Sequence, residues 1–181
     1  AAHLVDLPAQ SHRALSRWFE QTDVLRCARE EGVDLVFWHV TDGGFDSVTH
    51  LERLLDSLAG SVRFVVVENL GRSKDFSQFD ASPARQRVLE LGGQIIALPE
   101  LDPSVMYKID GFGSSFWAAV NTSEGQRALS RLERRRAKVW LDRARAALEP
   151  LSVVSRKVTR DEPQRRESQP SESIAPNSGL N

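Results

Sequence analysis

Four short apolar segments of the sequence end in polar side chains of the kinds that bind metal ions and nucleotides. Asp6 follows the first segment, at residues 4–5, and Asn69 ends the third, at 61–69. Asp102 comes shortly after Pro99, which ends the fourth segment, at 94–99. Other polar residues at these places are His39, Thr41, Asp42, Glu68, Arg72 and Glu100. Ligands of an open parallel α/β sheet bind at the carboxyl ends of its strands. Carboxylates that hold metal-bound water, beside an amide that contacts a base, suit a Mg²⁺-nucleotide site, although ordinary loops are also polar.

The sequence lacks the loop that most nucleotide sites need. A Gly-rich loop followed by Lys and Ser or Thr wraps phosphates with its backbone amides, and no such loop occurs in the 181 residues. The glycines at 43–44, 92–93 and 111–113 come without that lysine and without the strand-to-helix context. We therefore expect no ATP binding by that mechanism in this chain alone.

Other kinds of catalytic or metal site are not indicated by the sequence. The serines after Gly113 lack the Gly-x-Ser-x-Gly frame of a nucleophile elbow. A single cysteine, Cys27, excludes an internal disulfide framework and a multi-cysteine zinc site, and its position on the apolar face of a predicted helix favours the core. The histidines, which show no close metal-ligand spacing, are His3, His12, His39 and His50.

The elements that must position these residues follow from the pattern of apolar positions. The pattern predicts a strand that ends at Asp6 and further strands at 33–40, 61–69 and 94–99. It predicts helices at 11–31, with a break at Thr22-Asp23, and at 45–58, 83–91, 104–110 and 124–148. Strands and helices in this alternation are typical of an α/β fold, here a mostly parallel sheet flanked by helices, with a long C-terminal helix.

Several finer expectations follow from composition. Residues 33–40 are nearly all apolar, which predicts a strand buried on both faces. Residues 1–150 form the expected domain, and residues 151–181, rich in Ser, Pro, Gln and charge, form an expected disordered tail. The strand before Asp6 would lie inside a sheet whose earlier part is absent from this sequence. The tryptophans expected in the core are Trp18, Trp38, Trp117 and Trp140.

Charge is distributed unevenly along the chain. Residues 1–126 carry 11 Lys+Arg against 18 Asp+Glu, whereas residues 127–181 carry 13 against 7. An acidic body with a basic end indicates an anionic partner such as DNA, while the simpler explanation is a solvated helix face. Trp140, in the Arg-rich last helix, is a candidate for stacking on a base as well as for the core.

The expected compartment is a reducing cytoplasm. No apolar run approaches the roughly 18 residues that span a bilayer, so no transmembrane segment is expected. Ala1 to Pro8 has neither the basic start nor the long apolar stretch of a signal peptide.

Three motifs resemble the deviant Walker-A ATPases, the ParA/MinD group. Leu4-Val5-Asp6-Leu7-Pro8-Ala9 looks like a strand of that group that ends in Asp-x-Pro-Ala. Val65-Val66-Val67-Glu68-Asn69 resembles a later strand ending in asparagine, and 95–102 resembles the next strand with its Pro-containing exit loop. Within the group, residues 38–44 and the Arg-rich last helix look most like plasmid mobilization proteins of the MobD/TraL kind.

The resemblance covers residues 1–150 and implies a P-loop NTPase-like fold without its N-terminal phosphate-loop unit. It implies that Asp6 is catalytic and holds the Mg²⁺-bound water near the γ-phosphate. It also implies that Asn69 contacts adenine, with Pro99 and Asp102 beside it in the exit loop. ATP and Mg²⁺ are thus cofactors expected of a longer form, and ATPase activity is implied by the resemblance alone.

The resemblance also implies an accessory role in plasmid DNA mobilization or conjugal transfer. Relaxase proteins are the expected partners, and nucleotide state would switch formation of a homodimer or contact with a partner. Two other functions stay open at this point. One is plasmid partition by an ATPase-like protein of the same fold. The other is a non-catalytic protein that docks DNA or relaxase through its Arg-rich last helix.

Overall fold

The centre of the molecule is a parallel sheet, as the sequence predicts. The structure, a computed structural model, describes residues 3–8, 11–125 and 128–151. Within these residues the sheet has three strands in the order β1-β2-β3, each parallel to its neighbour. The strands are β1 (Val36–Thr41), β2 (Arg63–Asn69) and β3 (Gln94–Leu98). The α/β class is thereby confirmed, while its ParA/MinD-like form stays a prediction.

Helices connect the strands and cover both faces of the sheet. The helices of the described residues are α1 (His12–Thr22), α2 (Val24–Glu30), α3 (Phe45–Leu58), α4 (Ser77–Asp80), α5 (Pro83–Glu90), α6 (Pro103–Gly111), α7 (Phe116–Asn121) and α8 (Arg131–Leu148). Parallel neighbours need right-handed crossovers, so α3 and α5, which follow β1 and β2, lie on the same face. Leu148 at the end of α8 and Leu151 cover the other face by packing on Val65 and Val67.

Helix α3 shows how closely local pattern sets structure here. Its predicted limits, 45–58, agree with the observed ones. Buried apolar residues recur along one stripe of this helix, at Val48, Leu51, Leu54, Leu55 and Leu58. Leu51 and Leu55 are 0% exposed, and full burial of such a side chain contributes about 2 kcal/mol.

The predicted break in the first helix is also confirmed. Asp23 adopts a left-handed conformation with φ of 48°, and α1 and α2 lie on either side of it. Aspartate is one of the few residues that visit this conformation readily, because its short polar side chain bonds locally. The helix therefore divides at the residue that best tolerates the turn.

The long last helix begins later than predicted. The sequence pattern indicated a start at 124, but α8 begins at Arg131. Gly125 has φ of 101°, outside the helical region. Ser130 then caps the helix: its side chain accepts from the Glu133 N–H at 3.4 Å, and Glu133 Oε2 accepts from the Ser130 N–H at 2.9 Å. This reciprocal capping box fixes the start of the helix.

Residues 3–8 form no strand, contrary to the prediction. Leu4 and Val5 are 90% and 76% exposed. Within the described residues, the backbone hydrogen bond of this segment runs from the Ser11 N–H to the Pro8 carbonyl. A strand needs a neighbouring strand to pair with its backbone N–H and C=O groups. The apolar surface of Leu4 and Val5 alone is too small to hold this segment against the sheet.

Strand β1 is less buried than its composition predicted. Within the described residues it pairs with β2 alone and so forms an edge of the sheet. Val40 is 57% exposed, and Thr41 is the fully buried position of the strand. An apolar run cannot by itself distinguish a central strand from an edge strand.

Two predicted core tryptophans and the cysteine prove to be exposed. Trp18 and Trp117 are 49% and 72% exposed, and Cys27 is exposed as well. Helix α2 has seven residues and buries Ala28, so Cys27, one position away, points to solvent. Trp38 and Trp140 pack against core clusters as predicted.

The residue just after the expected domain limit at 150 is buried. Leu151 is fully buried, and its N–H donates to the Leu148 carbonyl at 3.0 Å. The rest of the predicted tail, residues 152–181, lies outside the described residues. Within the described part of the chain, no helix combines the length and the apolar character needed to cross a bilayer.

Candidate functional site

The carboxyl ends of the three strands meet at one edge of the sheet, which we call the carboxyl edge. Thr41 of β1 is in register with Glu68 of β2, and Asn69 is in register with Leu98 of β3. The loops that begin at these residues therefore lie side by side. The sequence analysis predicted the metal-binding and nucleotide-binding residues at this edge of the sheet.

Asn69 is held at the end of the middle strand. Its Oδ1 accepts from the Gly71 N–H at 3.0 Å, and its backbone carbonyl accepts from the Arg72 N–H at 2.9 Å. A Cβ on Gly71 would lie 3.1 Å from that Oδ1, so the turn is tight. The Asn69 Nδ2 group makes no hydrogen bond within the described residues. The amide therefore has a free donor at the carboxyl edge.

Pro99 and Asp102 make structural contacts in the loop after β3. The Pro99 carbonyl accepts from Trp140 Nε1 at 2.7 Å. Asp102 caps α6 by accepting from the Ser104 N–H at 3.0 Å, and its other oxygen accepts from Arg136 at 3.1 Å. The hydrogen bond from Ser104 lowers the pKa of Asp102 below its ordinary value. Both oxygens are thus engaged with the protein, and the predicted nucleotide role of these residues stays a prediction.

Asp6 is not brought to the carboxyl edge by any contact in the described residues. It lies in the exposed segment 3–8, which has no strand and no backbone bond to the sheet. Its predicted role with metal-bound water stays a prediction. The part of the chain that the structure describes also holds no group of three metal-ligating side chains.

The end of β1 is a satisfied polar cluster. Thr41 Oγ1 accepts from the Gly43 N–H at 2.9 Å and from Ser47 Oγ at 2.8 Å. His39 Nε2 donates to the Ser47 carbonyl at 3.1 Å, and burial lowers the pKa of His39. Asp42 accepts from the Gly44 N–H at 3.0 Å. These contacts fix the loop, so we assign them a structural role.

Glu68 lies beside this cluster on the face covered by α3 and α5. Burial raises its pKa above the ordinary value, with a smaller contribution from Asp80 and an opposing one from Arg85. Arg85 Nε lies 3.2 Å from Asp80 Oδ1, as an ion pair without the alignment of a hydrogen bond. Burial at this place therefore favours the neutral form of Glu68.

A second surface lies between α7 and α8, where an open groove has a volume of about 610 Å³. We call it the basic groove. Its lining residues are Val120, Arg131, Leu132, Arg134, Arg135 and Lys138. Arg134 donates to the carbonyls of Thr122 and Leu129, at 3.2 and 3.4 Å. This arginine ties Thr122 and Leu129 to the helix.

The other three cations of the basic groove are exposed. Arg131, Arg135 and Lys138 form no ion pair or side-chain hydrogen bond within the described residues. Their spacing of four and then three residues places them along one side of the helix. The opposite side carries Ala137 and Trp140, and the Trp140 ring lies 4.6 Å from that of Phe116. Burial of that side directs the three cations outward.

Trp117 is an exposed aromatic residue near a lining residue of the basic groove, and sequence reasoning missed it. It lies three residues before Val120 on α7, which places their Cβ atoms about 5–6 Å apart. Phe116, Ala119 and Val120 pack against the core cluster around Ala137. A helix of six residues with those three positions inward leaves Trp117 off the core. That spacing is the signal that would have found it.

Glu133 makes the start of α8 sensitive to acid. The hydrogen bond from Lys108, with a second from the Ser130 N–H, lowers its pKa from 4.5 to about 2. A carboxylate whose pKa falls on folding stabilises the fold above pH 4.5, and this contribution is lost as the pH falls toward about 2. Glu133→Gln should therefore lower the free energy of unfolding at pH 7 by at most about 1 kcal/mol, so that the variant unfolds at a lower urea concentration. Between pH 5 and pH 3 the variant should lose less stability than the unmodified chain.

Urea unfolding at pH 7 and pH 3 measures this difference. Glu20→Gln, on an exposed face of α1, is the matched control and should follow the unmodified chain at both values. The same acid dependence in Glu133→Gln as in the unmodified chain would contradict the assignment.

The comparisons with known proteins add no relative. The chain matches no protein-family model, no curated protein and no solved structure. The carboxyl edge and the basic groove are therefore the basis on which function is proposed.

Proposed function

We propose that this chain is a DNA-docking accessory protein of plasmid DNA mobilization and that the basic groove is its docking surface. The observation that carries the proposal is the row of Arg131, Arg135 and Lys138, three outward cations without a partner in the described residues. The phosphates of DNA are regularly spaced anions that such a row neutralises, and arginine matches their geometry.

The charge of the rest of the chain supports this surface. Residues 1–126 carry 18 acidic against 11 basic side chains. An anionic polymer is therefore repelled by the body and attracted to α8, which orients it on approach. The acidic body leaves the groove as the favourable place for DNA.

The plasmid context comes from the resemblance of residues 38–44 and the last helix to mobilization proteins of the MobD/TraL kind. In that context the groove holds DNA while the α/β body contacts a relaxase protein, and a homodimer presents two grooves. Plasmid partition shares the fold and the docking surface. Transfer frequency measured against plasmid loss in a strain lacking the gene separates the two roles.

Salt dependence tests the DNA-docking proposal. A fluorescent oligonucleotide is titrated with the full chain at several salt concentrations. Three phosphate contacts predict that log K falls with log[salt] with a slope of about −2 for a single strand and about −2.7 for a duplex. Absence of binding at low salt, a slope near zero, or binding to polyglutamate alone would overturn the proposal.

Adenine-nucleotide contact at the carboxyl edge is a second candidate function. The observation that favours it is the free Nδ2 donor of Asn69, at the end of the middle strand and beside the loop that holds Pro99. Such an amide can donate to an acceptor of adenine. ATP with Mg²⁺ would be the ligand, and Asp6 would contribute in a longer form that supplies a phosphate loop.

Asn69→Asp tests this candidate with little change in the loop. The aspartate keeps an oxygen for the Gly71 N–H but loses the donor, so we expect the affinity for a labelled ATP analogue to fall about 10-fold. Equilibrium dialysis measures it. Asn69→Ala, which removes both groups, should bind no better than Asn69→Asp. Equal affinity of Asn69→Asp and the unmodified chain, or no nucleotide binding at all, would contradict the candidate.

A further inference from the structure

The basic groove combines charge with exposed apolar side chains, and the combination selects among nucleic acids. We infer that the groove takes single-stranded DNA in preference to duplex DNA, with a base stacked on Trp117. The inference rests on the proposed DNA docking and narrows it to one form of the polymer.

Trp117 presents an unusually accessible ring. Its side chain is 72% exposed, although tryptophan is among the most buried residues on average. The Ser115 hydroxyl accepts from the Ala118 N–H at 3.1 Å, and the Asn121 amide donates to the Trp117 carbonyl at 2.8 Å. These two bonds hold the short helix that carries the ring. The indole is therefore presented from ordered backbone, one helical turn from Val120, which lines the groove.

The lining of the groove is partly apolar. It includes Val120 and Leu132, and Leu132 is 64% exposed. A duplex keeps its bases stacked inside and would set its charged backbone against these two side chains, which gains nothing. A single strand can turn its bases toward these side chains and the indole while its phosphates meet the cations.

The dimensions of the groove agree with a short single strand. Arg131 and Lys138 are seven residues apart on α8, or about 10 Å along its axis. A volume of about 610 Å³ lies in the range of roughly 300–1,000 Å³ that holds small ligands. One or two nucleotides are of a size to occupy such a space.

The test compares a labelled oligo-dT strand with a hairpin duplex of equal phosphate number, both titrated by fluorescence anisotropy with the full chain. We expect the single strand to bind more tightly. Trp117→Ala should weaken single-strand binding about 10-fold and leave the salt slope and the duplex affinity unchanged. Trp117→Phe should recover most of the loss, because a phenyl ring also stacks on a base.

Trp18→Ala is the matched control. Trp18 is the other exposed tryptophan, 49% accessible and on α1, and its loss should leave both affinities unchanged. Far-UV circular dichroism verifies that each variant is folded. Salt-dependent DNA binding that Trp117→Ala leaves intact, or tighter binding of the duplex, would overturn this inference and leave DNA docking standing. Failure to bind either form would overturn both.

Discussion

Replacing Arg131, Arg135 and Lys138 together by glutamine should weaken DNA binding about 100-fold at about 0.1 M salt. Each lost phosphate contact removes about 0.7 from the slope of log K against log[salt] for a single strand, and so about fivefold in affinity at that salt. The three side chains are exposed and have no partner within the described residues, so the fold should be unaffected. Anisotropy titrations of the variant and the unmodified chain over a salt series measure both quantities.

A control with the same change in net charge separates the groove from general electrostatics. Arg13 and Arg17 on α1 and Arg53 on α3 are exposed and belong to helices that pack on the other face of the sheet. Their joint replacement by glutamine should lower affinity only slightly and leave the slope as it was. An equal loss in the two triple variants would contradict docking at the basic groove.

Gly43→Ala should reduce the free energy of unfolding by about 3 kcal/mol. Gly43 has φ of 78°, in the left-handed region, and a Cβ there would lie 2.8 Å from the Asp75 carbonyl oxygen and 2.9 Å from the Phe76 ring. The substitution thus adds backbone strain to a clash with a neighbouring loop. It also disturbs the bond from the Gly43 N–H to buried Thr41. Urea unfolding monitored by circular dichroism measures the loss.

The next residue offers a control within the same loop. Gly44 has φ of −77°, which any residue adopts, and a Cβ there would lie 3.3 Å from the exposed Asp42 side chain, which needs to move by only a few tenths of an ångström. Gly44→Ala should therefore change stability by less than about 1 kcal/mol. Equal stability of Gly43→Ala and Gly44→Ala would show that the two loops of the carboxyl edge do not meet as described.

Two contacts join the carboxyl edge to α8, the helix that carries the cations of the basic groove. Trp140 of α8 donates to the Pro99 carbonyl, and Arg136 of α8 pairs with Asp102. Two of the residues expected at a nucleotide therefore hold the last helix against the sheet. Both residues lie in the loop after β3, and the partners that they contact belong to a helix distant in sequence.

Local pattern predicted well wherever a residue's environment is set by its near neighbours. The apolar stripe of α3 and the β-branched run of β2 identified these elements, and Asp23 was correctly expected to divide the first helix. Prediction failed for Leu4-Val5, because a strand depends on a pairing partner that the segment itself does not supply. It failed for Cys27, because amphipathic spacing in a short helix does not say which side meets the core, and for Trp117, because the inward spacing of Phe116, Ala119 and Val120 was not used.

By itself, the sequence determined the parallel α/β order, the carboxyl edge with Asn69 on it, and the concentration of positive charge on the last helix. Only the tertiary structure decided which of those charges are available. Arg136 is neutralised by Asp102, 34 residues away, and Arg134 is bound by two carbonyls, while Arg131, Arg135 and Lys138 face outward. The physical reason is that helical periodicity fixes which residues share a face, whereas the partners each face meets are supplied by distant parts of the chain.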